Sequence, residues 1–284
     1  MNLPRFSCLA LVGLLALPCF GDESLAEITL RSVVAREREF LARAEKDGEH
    51  LDDAKFAGDA KAIASSYDVL IQKNPDFAPA FVAYGLFLGK LDMNRAAVAM
   101  LLRANKLDPH IPLVKNQLAK HLAEDGKPVD ALPYLLSAID LAPNEPLYHL
   151  HFGLLLMEAR ADFLQTGDWT SGVLDQAMLA ALQRAAELAK GDFSYAFQHA
   201  KAYYEVAPPR WEEALAVWER LGDRATTTAT RQLVRLHRAN VLAQLDRRDE
   251  AHALLNQVTE AQFDAEKKQV LAALAAKEAK EKKP

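Results

Sequence analysis

The sequence predicts an all-α protein built from a repeated helix pair, and three observations lead there. Ala, Leu, Glu, Lys and Arg dominate, and only 12 Gly and 13 Pro interrupt 284 residues, a usage that favours helices. One phrase returns with small changes, as "LLRANKLDP" at 101–109, "LLSAIDLAP" at 135–143 and "LQRAAELAK" at 182–190. Pro75, Pro109 and Pro143 lie 34 residues apart, each closing an apolar stretch. A fixed return of that length marks a solenoid of stacked units.

The N-terminus reads differently. "MNLPR" carries one basic residue, and "FSCLALVGLLALPCF" then runs without a charge. That run is short of the roughly 20 residues a membrane span needs and fits a secretory signal peptide. Residues 1–21 are the expected signal, with Cys19 and Gly21 as small residues ahead of a cut before Asp22. Lipid anchoring through Cys19 is the alternative, although Leu17 and Pro18 ahead of it match such signals poorly. Both cysteines, Cys8 and Cys19, fall in this region. A chain starting at Asp22 is therefore expected to hold no disulfide and no thiolate metal site. Removing residues 1–21 takes away Arg5 and no acid, leaving 33 bases against 39 acids, a net charge of −6. That balance argues against a general nucleic-acid binder. No second apolar run approaches membrane length, so no integral span is expected after signal removal.

The 34-residue return resembles the tetratricopeptide repeat (TPR), a helix–turn–helix unit. That family places small residues where helices touch, because helix axes approach closely only where side chains are small. Gly85, Ala97 and Ala104, with Pro109, hold those places in 78–111. Ala119, Ala131 and Ala138, with Pro143, hold them in 112–145. The unit at 146–192 opens with Phe152, Gly153 and Leu156, but its second helix comes late. Pro143 to Lys190 is 47 residues, about 13 more than one period, which places an insertion near 160–173. Ala200, Tyr203, Ala214 and Trp218 mark a unit at 193–227, and Ala239 and Ala251 one at 232–260. The first unit, 42–77, is degenerate, with Ile63 where a small residue is expected.

Residues 261–284 are expected to cap the stack, with Phe263, Val270, Leu271 and Leu274 on one helical face and a Lys-rich tail beyond. The resemblance thus implies one right-handed α-solenoid of antiparallel helix pairs over 22–284, with about five to six repeats plus the cap.

No catalytic signature is found: no H-E-x-x-H, no G-x-S-x-G and no Gly-rich phosphate loop occur. His149 and His151 point about 200° apart on a helix and cannot share a metal by themselves. Glu212 and Glu213 are explained as acids at a helix start. No enzyme activity, cofactor or metal is expected.

The resemblance implies a concave groove, lined by first helices, that takes a protein or peptide partner. Mapped on its pattern, the groove positions are Val82, Leu86, Asn116, Lys120, Leu150, Leu154, Phe197, Lys201, Tyr204 and Asn240. The family's two-carboxylate clamp places Lys before Asn, four apart; here Asn116 precedes Lys120 and the supporting bases are missing. What remains is an apolar middle, Leu150, Leu154 and Phe197, flanked by Lys120 and Lys201, suited to an amphipathic segment with some acid. Trp169, in the inserted "ADFLQTGDWTSGVLDQ", is a second candidate, since long connections often carry function and Trp is enriched at interfaces. Packing of Trp169 onto the solenoid is the competing reading, and Trp211 and Trp218 are taken as core.

The expected function is a non-enzymatic exported scaffold in a bacterial envelope or secretion assembly, in the periplasm. The alternatives are a periplasmic small-ligand or glycan module using Tyr203, Tyr204 and Trp169, and an accessory subunit of an envelope enzyme. Self-association is left open.

Overall fold

The structure, a computed structural model, describes residues 24–48 and 52–281, of which 278–281 as backbone alone. The expected signal peptide, 1–21, lies outside the described residues. All regular structure among the described residues is helical. Helix α1 spans Leu25–Asp47, α2 Asp53–Lys73, α3 Ala78–Lys90, α4 Asn94–Leu107, α5 Pro112–Glu124, α6 Pro128–Leu141 and α7 Pro146–Glu158. The short α8 spans Arg160–Gln165, followed by α9 Ser171–Leu188, α10 Phe193–Ala202, α11 Trp211–Asp223, α12 Thr228–Gln244, α13 Arg248–Leu255 and α14 Asp264–Glu281. The chain falls into two compact units, one up to Met93 and one from Asn94 onward.

In the first unit, Ser24 starts α1 with a reciprocal cap. Its hydroxyl accepts from the Glu27 N–H, and the Glu27 carboxylate accepts from the Ser24 N–H at 2.8 Å. Asp52 starts α2 by accepting from the N–H groups of Ala54 and Lys55, each at 3.0 Å. With no Gly or Pro between residues 25 and 47, α1 runs on for 23 residues, well upstream of the unit expected to start at 42. Phe40, Ile63, Tyr67, Leu70 and Phe87 are enclosed between α1, α2 and α3. Ile63, which occupies a small-residue position, is only 4% exposed. A carboxylate sits among these apolar groups: Glu37 accepts from the Tyr67 hydroxyl at 2.6 Å and from Lys90 Nζ at 2.8 Å. Burial of that acid is sustained by its two donors.

In the second unit, the small residues lie at helix contacts. Ala97, Ala104, Ala119, Ala131, Ala138, Ala185, Ala200, Ala214, Ala239 and Ala251 are all essentially inaccessible. At Gly153 the approach is closer still, since an added Cβ would lie 2.5 Å from Leu182 Cγ. Pro112, Pro128 and Pro146 each open a helix, where the missing N–H costs nothing. The turns repeat along the sequence as well: Asp92, in the first unit, and Gly126, 34 residues later in the second, both have a positive φ, of 58° and 75°.

The inserted stretch is structured. Phe163 of α8 is fully buried and meets Trp169 edge-on, with ring centroids 5.7 Å apart. Arg160 donates to Asp175 and to the Ser171 hydroxyl, and Asp175 also accepts from the Ala207 N–H at 3.0 Å. One buried carboxylate thereby holds α8, α9 and the loop after α10.

At the C-terminal end, Gln232 of α12 seats the link to the last helix. Its side-chain oxygen accepts from the N–H groups of Thr259 and Glu260, at 2.7 and 2.9 Å. Helix α14 packs Val270 and Leu274 inward, with Phe263 before it and Leu271 half-buried beside them. Lys277 Nζ donates to the carbonyls of Ala243 and Gln244 at the end of α12, a favourable place for a cation.

Candidate functional site

The second unit gathers most of the groove residues on α5, α7, α10 and α12. Two clusters form. In the first, Asn116 of α5 is fully buried, and its Oδ1 accepts from His151 Nδ1 of α7 at 2.8 Å. The Asn116 Nδ2 group is enclosed with no hydrogen-bond partner. Lys120, one turn along α5, is exposed, with Glu124 at 3.7 Å. Burial and the Lys120 charge push His151 down to about 4, so at neutral pH the imidazole is uncharged and donates to Asn116.

In the second cluster, His237 of α12 lies flat on Trp218 of α11, with centroids 4.3 Å apart and planes 7° apart. Phe197 of α10 meets both rings edge-on. The Tyr204 hydroxyl lies 3.1 Å from His237 Nδ1 and 3.4 Å from the His237 carbonyl, to which it donates. Lys201 Nζ stands 5.9 Å from the Phe197 ring centroid. Burial and the Lys201 charge lower His237 to about 4, while burial pushes the Tyr204 phenol up to about 12. Helix α7 joins the two clusters. Its Glu158, raised by burial and pulled back down by Lys201, faces the second, and its His151 faces the first.

Of the residues chosen from sequence, Lys120 and Lys201 are exposed, while Leu150, Phe197, Tyr204 and Asn240 are half-buried. Leu154 is 6% exposed and Asn116 wholly enclosed, so both are turned to neighbouring helices. Val82 and Leu86 are half-buried on α3, in the first unit. Trp169 is half-buried against Phe163, and Trp218 is core. Sequence reasoning weighed His151 only as a metal ligand and passed over His237. The signal was present, since each lies on a first helix beside a chosen residue, Leu150 and Asn240. What each histidine contacts is set by a helix 19 or more residues away.

Among the described residues no cluster of His, Cys, Asp or Glu is placed to hold a metal ion. No described helix is long and apolar enough to cross a membrane. The arrangement offers surface recognition: two cations beside half-buried apolar groups, underlain by neutral imidazoles.

No protein-family model matches the sequence, and no curated protein matches it. Solved structures do match. YrrB, described as a TPR protein with an unusual peptide-binding site, superposes with a TM-score of 0.58 at 17% identity, covering 76% of this chain and 99% of its own. The fold is the tetratricopeptide repeat. The same TPR architecture relates the chain to pilF of Pseudomonas aeruginosa, with a TM-score of 0.59 at 14% identity over 87% of this chain and 98% of that one. PilW, described as a widely conserved type IV pilus biogenesis factor, gives 0.59 at 12% identity over 88% and 99%. At such identities the likeness is one of TPR fold.

Proposed function

We propose that this chain is a non-enzymatic, exported scaffold that holds a protein partner, or a peptide of one, against α5, α7, α10 and α12. The reading places it in the periplasm, in an envelope or secretion assembly. One observation carries the binding claim: Phe197 and Lys201 of α10 and Tyr204 just beyond it meet His237 of α12 in one cluster. A bound segment with some acid suits Lys120 and Lys201. Export is supported by the apolar run before Asp22. PilW as a type IV pilus biogenesis factor and YrrB with its peptide-binding site agree with the reading.

The test is crosslinking of the tagged chain in its own cell envelope, beside a Lys120→Glu, Lys201→Glu variant. Both lysines are exposed, and a thermal melt verifies that the variant is folded. A partner held by the parent and lost by the variant supports the reading. The same partner on both moves the site elsewhere, and capture of nothing by either turns the assignment to a small ligand.

A further inference from the structure

The two lysines of the candidate site differ. Lys120 has the Glu124 carboxylate at 3.7 Å. Lys201 is exposed and forms no ion pair among the described residues, and Glu158 of α7 acts on it only from a distance. Lys201 Nζ stands 5.9 Å from the centroid of the Phe197 ring, and the His237 ring meets the same phenyl edge-on at 5.5 Å. An unmatched cation and an imidazole thus share one aromatic side chain.

The hydrogen bonds of His237 fix where it can take a proton. The single Tyr204 hydroxyl hydrogen goes to the His237 carbonyl at 3.4 Å, so the phenol oxygen is left to accept from Nδ1–H at 3.1 Å. The lone pair of the ring then lies on Nε2. That atom has no hydrogen-bond partner among the described residues and, unlike His199 Nε2, it is not enclosed. Lys201 is the one described group whose charge acts on the ring. Helix α11 offers it the uncharged Trp218 indole, and Arg238, next along α12, is paired with Glu219 at 3.2 Å. Much of this setting suits an imidazolium. The indole face, 4.3 Å away and nearly parallel, attracts a cation, and the Tyr204 oxygen keeps its bond from Nδ1. Burial and the Lys201 charge oppose protonation, and a carboxylate shared by Lys201 and Nε2 would offset both.

We propose that Lys201 and His237 together seat one side-chain carboxylate of the bound segment, and that His237 takes up a proton at Nε2 as the carboxylate arrives. Such a seat rests on the scaffold reading and adds to it the chemistry of one contact. The sign follows from the two states. Unbound, His237 stays neutral down to about pH 4, whereas bound it is an imidazolium held by the carboxylate. Binding therefore consumes a proton, and affinity rises as pH falls. An acidic segment whose grip owed nothing to His237 would behave in the opposite way, since its own carboxylates lose charge in acid.

The probe is a fluorescent peptide with Leu along one face and Glu beside it, blocked at both ends so that it has no terminal carboxylate. Its twin carries Gln in place of Glu. Binding to the whole chain is read by anisotropy at about pH 7.5 and about pH 5.5, where Glu stays ionised. The Glu peptide should bind about threefold or more tighter at the lower pH, since a carboxylate this close carries the titration of an imidazole up by about 1–3 pH units. The Gln twin should show no such gain. In the NMR spectrum of the saturated complex the His237 ring should titrate well above its unbound midpoint. Lys201→Gln should weaken the Glu peptide at both pH values, and His237→Gln should bind it equally at both. A thermal melt at each pH verifies that each variant is folded. The proposal is overturned if the Glu peptide gains nothing in acid, if the twin gains as much, if His237→Gln keeps the gain, or if Lys201→Gln binds like the parent. In those cases the peptide still binds and the scaffold reading stands. Failure of both peptides to bind at either pH also overturns the seat, and leaves the scaffold reading to the crosslinking experiment.

Discussion

Arg160 and Asp175 form an ion pair across the segment that interrupts the fourth helix pair, with side chains 20% and 5% exposed. The carboxylate also receives the Ala207 N–H. Asp175→Ala strands an arginine and a main-chain donor together. Loss of one member of a buried pair costs about 3–5 kcal/mol, and the larger exposure of Arg160 points to the lower end. A urea titration should show that loss, and a variant as stable as the parent would refute a structural role for the pair.

Gly153 tests the closest helix contact. Alanine is the better helix former by about 1 kcal/mol, yet its Cβ would lie 2.5 Å from Leu182 Cγ. Overpacking of this kind costs about 1–3 kcal/mol, so the crowding should win and Gly153→Ala should melt lower. A higher melting temperature would mean that α7 and α9 can separate freely.

Tyr67→Phe removes one of the two donors to Glu37 while keeping the ring stacked near Tyr84. A hydrogen bond to a buried charge contributes about 1.5–3 kcal/mol. Chemical denaturation of the first unit should shift by that amount. An unchanged midpoint would show that Lys90 alone satisfies the acid.

Acid should weaken the fold. Burial holds His151, His199 and His237 down to about 4, whereas an unfolded histidine titrates near 6.5. Between about pH 6.5 and 4 the unfolded chain takes up protons that the folded chain refuses, so stability falls as pH falls. The urea midpoint should drop steadily across this window, and His237→Gln should make the slope shallower. A midpoint that stays flat or rises on acidification would contradict the buried, neutral state of these rings.

The fold was legible where small residues and prolines return together. Ala97, Ala104, Ala119, Ala131 and Ala138 announce helix contacts because no larger side chain fits there. The start of α1 was not legible, because residues 25–41 stand outside the 34-residue register and carry no small-residue pattern. The ion pair of Arg160 with Asp175 was hidden for another reason. Its partners lie on separate helices, and an Arg and an Asp in a sequence give no sign of which charges meet. In the candidate site, Lys201, Tyr204 and Asn240 were picked out only through the resemblance to the tetratricopeptide pattern. The flat stack of His237 on Trp218 does not, since it depends on how α11 and α12 are set against one another.

Gln232 carries a consequence for how the molecule ages. Its amide oxygen receives two main-chain N–H groups, and its amide nitrogen lies 3.5 Å from Glu260 Oε1. Hydrolysis of that amide to an acid would keep both acceptor bonds but replace a proton donor with a second negative oxygen facing Glu260. Among the contacts that seat the last helix, this one thus depends on a side chain staying chemically intact, unlike the packing of Val270 and Leu274. Slow deamidation there would loosen the C-terminal end first and leave the remaining helix pairs packed.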